Sequence, residues 1–140
     1  MKHLIIAVII ASLSGYCFAA TTYYVVTNNP DSHDPYTNWG IAGTNIIDVV
    51  NAALTNGSGN TVLVSNGTYV LTNEITITNT MTLQGVHGRE YTFLNGNYPN
   101  TTNRCISAII NNPIIDGFTI SNAWATNSLV LWFINSLTYF

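Results

Sequence analysis

The chain has very little charge. Only 6% of its 140 residues are Asp, Glu, Lys or Arg, against ~25% in an ordinary globular domain. Lys2 is its single lysine, and Arg89 and Arg104 are its only arginines. A chain so short of bases has no patch to neutralise phosphates, so nucleic acid and anionic lipid surfaces are poor partners, and no nucleic-acid partner is expected. Cysteine is scarce too, with Cys17 and Cys105 alone. GxSxG, HExxH, CxxC and P-loop motifs are all missing, which removes the usual signatures of serine hydrolases, zinc proteases, dithiol redox proteins and NTPases.

The polar load falls instead on 19 Asn and 19 Thr. Together with Val, Ile and Tyr they read as β-rich rather than helical. A hydrophobic content of 47% argues against disorder. The length suits one domain at most.

Residues 1 to 20, MKHLIIAVIIASLSGYCFAA, read as a secretory signal peptide. Lys2 supplies the positive start, Leu4 to Leu13 the apolar run, and Ala19 and Ala20 the small residues at the cut. The apolar run of about ten residues is too short to span a bilayer. Cleavage after Ala19 gives 1–19 as signal and implies a secreted, extracellular or cell-surface protein, with no membrane span in the mature chain. Lipidation at Cys17 is disfavoured, because Tyr16 stands where a small residue is usual. The mature chain keeps two bases against six acids (Asp31, Asp34, Asp48, Glu74, Glu90 and Asp116), a net charge of −4. Cys105 is then the only cysteine, so no internal disulfide forms. Asn56, Asn66 and Asn100 head glycosylation sequons, which matter only in a host that modifies them.

TTYYVVTNN (21–29) reads as a first strand, followed by a loop, PDSHDPYTNWG (30–40), anchored by Tyr36 and Trp39. NIIDVVNAALTN (45–56) is the one convincing helix. Asn45 can cap it, Asp48 sits three residues on, and Ile46, Val49, Val50, Ala53 and Leu54 recur at helical spacing. Strands are then expected at 61–64, 68–71, 75–78, 81–84, 91–94, 105–110 and 118–121. They are too short and too closely spaced for a sandwich. Asn79–Thr80, between ITIT and MTLQ, lacks the glycine of a two-residue hairpin. The joints read as corners of a coil, with residues 62–64, 82–84 and 105–107 in successive turns, 20 and then 23 apart. Asn suits such corners and can stack in ladders.

With YYV at 23–25, DPYTNWGIAGTNIIDVVNAA at 34–53, NTVLVSNGTYV at 60–70, ITITNTMTLQGV at 75–86 and IIDGFTISNA at 114–123, the chain resembles the N-terminal part of secreted right-handed parallel β-helix proteins of the pectin lyase-like fold. The resemblance implies an all-β solenoid. A cap strand and capping helix would occupy 20–58, and the first coils 59–140. The alternating Ile, Val and Leu would fill the interior. Such proteins usually continue for many coils past a GFTISN-like segment. Here ATNSLVLWFINSLTYF (125–140) follows, which points to a truncated product or a fragment. An uncovered last coil would expose strand edges and favour self-association.

Chemistry on this fold generally needs clustered carboxylates, with an Arg or Lys for a lyase. Candidates are few. Asp116 precedes Gly117 at a corner, where its carboxylate suits backbone N–H groups. His87, Arg89 and Glu90 share a solvated corner with a local ion pair. Arg104 reads as a strand-end charge in solvent, and Cys105 as a small core residue. Asp31, His33 and Asp34 match neither an EF-hand nor a zinc motif and read better as Asx-type turns. Tyr69, Tyr91, Tyr98 and Trp124 would be sugar-stacking platforms if they faced outward, and otherwise fill coil ends and loops. No catalytic residue, metal ligand or cofactor is assigned. The leading expectation is a non-catalytic secreted or cell-surface scaffold that binds polysaccharide or serves as an adhesin. The alternative is a pectate lyase-like or glycoside hydrolase-like enzyme whose catalytic coils lie beyond residue 140.

Overall fold

The computed structural model describes residues 19–109 and 112–124, and the backbone of 138–139. The expected signal peptide and most of the apolar stretch 125–140 lie outside the described residues.

The described residues are mostly β, with one α-helix among them. In order come β1 (Thr22–Val25), a 3₁₀ turn (Trp39–Ile41), α1 (Ile46–Thr55), β2 (Asn60–Val64), β3 (Gly67–Val70), β4 (Ile75–Ile77) and β5 (Met81–Gly85). Then follow β6 (Thr92–Asn95), β7 (Ile106–Ala108), β8 (Ile114–Asp116), β9 (Thr119–Ser121) and β10 (Thr138–Tyr139).

The strands form three sheets, ordered β1-β2-β5-β8, β10-β9-β6-β3 and β4-β7. Every pairing is parallel. Parallel neighbours cannot be joined by a tight turn and need a long crossover. Here the crossover is made of further strands. From β2 onward the chain visits the first, second and third sheets in turn, repeats that order through β5, β6 and β7, and begins it again with β8 and β9. Asn79–Thr80 therefore joins strands of different sheets, as a corner does.

Register follows side-chain alternation. Val62 lies beside Leu83, and Leu83 beside Ile115, all buried. Their neighbours Leu63 and Gln84 are half-buried on the other face. Aligning 62 with 82 would set Val62 against the half-buried Thr82, so the first step is 21 residues (Val62 to Leu83) and not the expected 20. The next step within this sheet is 32 (Leu83 to Ile115), not 23. The run at 105–107 belongs to the third sheet, where Ile106 lies beside Ile75. The strand that does continue the first sheet, β8, is not among the strands expected from the sequence, which places only Asp116, at a corner. Its three residues are too few for alternation to be visible.

The helix forms where its spacing predicts. Asn45 Oδ1 accepts from Ile47 N at 2.9 Å. Ile46, Val49, Val50 and Ala53 are buried, and α1 packs on β1, β2 and β4. They share one core with Val25, Val62, Val64, Ile75, Ile77 and Leu83. The C-terminal turn is tied down by asparagines. Buried Asn60 donates through Nδ2 to Ala53 O at 2.7 Å and Gly57 O at 3.1 Å, while its Oδ1 accepts from Thr21 N at 2.8 Å. Asn79 Nδ2 donates to Leu54 O at 3.3 Å. These bonds satisfy carbonyls that a helix end otherwise leaves open.

The corners are as tight as the strands are short. Gly117 has φ +77 and lies against Gly85, where a Cβ would run into the Gly117 carbonyl. Asn97 and Asn122 take left-handed φ values of 61 and 50 at equivalent joints, a conformation Asn adopts more readily than most residues. Asn122 Nδ2 donates to Asn95 Oδ1 at 3.4 Å, one rung of the expected asparagine ladder.

Candidate functional site

The most developed surface lies where the chain passes from the second sheet to the third. Because β3, β6 and β9 are neighbours, their outgoing connections run side by side. The β3–β4 connection carries Glu74, the β6–β7 connection carries residues 96–105, and Asn122–Trp124 follow β9. Backbone bonds join them: Gly96 N to Ser121 O at 2.8 Å, Tyr98 N to Asn122 O at 3.0 Å and Trp124 N to Asn103 O at 3.3 Å.

Tyr98 and Trp124 meet on this face. Their rings stack with centroids 4.9 Å apart and planes 10° from parallel. Each residue keeps 43% of its surface exposed. Beside them Asn100 Nδ2 donates to Asn97 Oδ1 at 3.0 Å, Asn97 N donates to Asn95 Oδ1 at 2.8 Å, and Thr101 Oγ1 donates to Gly96 O. The loop is thus held from within, and the aromatic pair is presented in a fixed geometry.

The same set of connections holds an ion pair that sequence reading missed. Arg104 Nε donates to Glu74 Oε2 at 2.6 Å, and Nη2 to Oε1 at 3.2 Å. Arg104 is not the lone solvated charge expected of it. Pairing of Ile75 with Ile106 brings the residues just before β4 and β7 together, and a guanidinium and a carboxylate placed there engage as a fork. No local motif announces a contact between residues 30 positions apart.

The other candidates separate. Tyr69 is buried, and its hydroxyl lies 3.0 Å from Ser65 Oγ and 3.1 Å from Ser65 O, so it offers no outward platform. Burial raises its phenol pKa, an effect the Ser65 hydrogen bond partly opposes. Tyr91 is exposed at the corner before β6. Cys105 is buried, with its Sγ 3.9 Å from Leu94 O, and burial pushes its thiol up to about 11. A thiol so placed stays protonated near neutral pH and is no nucleophile. Asp116 ends β8, immediately before the Gly117 corner. His87, Arg89 and Glu90 are exposed on the β5–β6 corner.

The PDSHDP loop is organised by Asn29. Its Oδ1 accepts from Asp31 N at 3.0 Å, and its Nδ2 donates to Gly40 O at 3.1 Å and Ala42 O at 3.0 Å. His33 Nδ1 lies 2.6 Å from Asp31 O. Among the described residues, no three His, Cys, Asp or Glu side chains converge as a metal site. A cleft of ≈ 490 Å³ between this loop and α1 is lined by Asp34, Pro35, Thr37, Thr55 and Asn56, with a single carboxylate. Among the described residues, no helix is long and apolar enough to cross a membrane.

Comparison with protein-family models, curated proteins and solved structures finds no match to this chain.

Proposed function

We propose that the chain is a secreted, right-handed parallel β-helix scaffold of the pectin lyase-like kind that binds carbohydrate without cleaving it. Support for the architecture comes from three parallel sheets visited in rotation. A helix that buries one face over β1, β2 and β4 supports its role as a cap.

The observation that carries the function is the exposed Tyr98–Trp124 pair. The two rings form a contiguous aromatic surface that stands open to solvent. Rings with a polar tip, framed by Asn97, Asn100 and Thr101, present both a stacking surface and hydrogen-bonding groups, which is what a sugar requires. A non-catalytic reading is favoured because Glu74, the carboxylate on this face, is neutralised by Arg104 and is not poised as an acid or base.

The test is affinity gel electrophoresis of the mature chain (residues 20–140) through a panel of soluble polysaccharides. Specific retardation is expected, and it is lost in Tyr98→Ala and Trp124→Ala variants that still melt at the wild-type temperature. Migration unaffected by every polymer would refute the reading. Release of reducing ends or unsaturated sugars from any polymer would replace it with the enzymatic one.

A further inference from the structure

Resting on that carbohydrate reading, we infer that the Tyr98–Trp124 face takes a neutral glycan and rejects an anionic one. A uronate-type sugar brings a carboxylate at each residue. Burying that charge against an aromatic face is costly unless a cation with free donors meets it. Arg104 is the cation carried by these connections, next to Asn103, whose carbonyl accepts from Trp124 N, and its Nε and Nη2 donate to both oxygens of Glu74. The pair sums to zero charge, so Arg104 presents no net positive charge to a substrate carboxylate.

The remaining base is no substitute. Arg89 sits on the β5–β6 corner, outside this set of connections, and it is itself engaged in a contact. The chain carries a formal net charge of −3, so its long-range field repels a polyanion at low salt. The groups around the aromatic pair are uncharged: two rings, the mutually bonded amides of Asn97 and Asn100, and the Thr101 hydroxyl, which donates to Gly96 O and can still accept. They suit a pyranose with an apolar C–H face and neutral hydroxyls.

The experiment compares hydroxyethyl cellulose, a neutral β-glucan, with polygalacturonate, using affinity electrophoresis of the mature chain at low and moderate salt. Dissociation constants at least tenfold lower for hydroxyethyl cellulose are expected, with little salt dependence. Trp124→Ala abolishes that binding and Trp124→Tyr restores most of it. Glu74→Gln frees the Arg104 guanidinium and raises polygalacturonate binding several-fold. Wild-type binding to polygalacturonate as tight as to the neutral polymer would overturn the inference and leave the carbohydrate reading standing. An unchanged polygalacturonate affinity in Glu74→Gln would also overturn the inference. Binding to neither polymer would overturn both.

Discussion

The two ends of the strand stack are built differently. At the N-terminal end α1 lies over the core, and Val49, Val50 and Ala53 are closed off from solvent. At the far end, β8 and β7 are the last described strands of their sheets. There Ile115, Phe118 and Ile120 are still buried, while Ile114, turned outward beside Thr82, and Ile109, just past β7, are 58% and 70% exposed. The interior residues of both ends are alike in chemistry. What differs is that α1 packs over the first end, whereas among the described residues no helix packs over the other. A parallel stack buries its interior through its neighbours in the stack, so its ends depend on something else: a helix with a one-sided apolar face, pinned by Asn60, serves at one end.

The largest contrast should come from placing the same charge at each end. Val50→Asp puts an unpaired carboxylate under α1 and should destabilise by more than about 3 kcal/mol, enough to abolish a cooperative melt followed by circular dichroism. Ile114→Asp, on the open surface, should change stability by no more than about 0.5 kcal/mol. Equal losses at the two sites would break the comparison.

A sharper probe of the covered end is Asn60→Ala. It leaves Thr21 N, Ala53 O and Gly57 O without their buried partner, and should cost about 2–3 kcal/mol in urea unfolding. Loss of no more than a few tenths would mean that α1 is held by its apolar face alone.

The pH dependence reports on the second and third sheets, between which Cys105 is buried. Burial raises its folded pKa to about 11, above the 9.0 of a thiol in water. A raised pKa means that the neutral thiol is the form the fold prefers. Its contribution to stability is complete below pH 9 and is lost as the pH rises through 11. Thermal melts of wild type should therefore fall more steeply over that range than those of Cys105→Ala. Parallel curves would show that burial of the thiol has no part in the alkaline transition.

At the small end of the scale, Glu74→Gln should lower stability by about 0.5–1 kcal/mol, because the Arg104 pair is partly exposed. Substituting Ile109 and Ile114 together with Ser should leave the melting temperature nearly unchanged while reducing self-association in sedimentation velocity. Sedimentation indistinguishable from wild type would mean that these two residues are not the adhesive part of the far end.

Much of this was legible in the residues. Asn45 and the spacing of Ile46, Val49, Val50 and Ala53 specify α1, because capping and period are local properties. The alternation in TVLV, ITIT and MTLQ specifies strands for the same reason, and the lack of a hairpin turn at Asn79–Thr80 excludes antiparallel pairing. Partnership was less legible. Whether β7 lies beside β4 or β5 depends on the lengths of connections that follow no fixed repeat. Tyr69 went inside and Val70 outside, against their hydrophobicity, because strand parity and the Ser65 hydrogen bond decide. The face formed by Glu74, Tyr98, Arg104 and Trp124 was hidden for a related reason. Tyr98 and Trp124 were visible as residues, yet their contact exists only once β6 and β9 are set in register.

Interstrand nuclear Overhauser effects in the isotope-labelled mature chain test the parallel winding most directly. Backbone contacts linking Val62 to Leu83 and Leu83 to Ile115, with none between the strands flanking Asn79–Thr80, are the predicted pattern. Antiparallel contacts pairing Thr78 with Met81 and Thr76 with Leu83 would contradict it, because β4 and β5 would then be a hairpin and the three sheets would not exist.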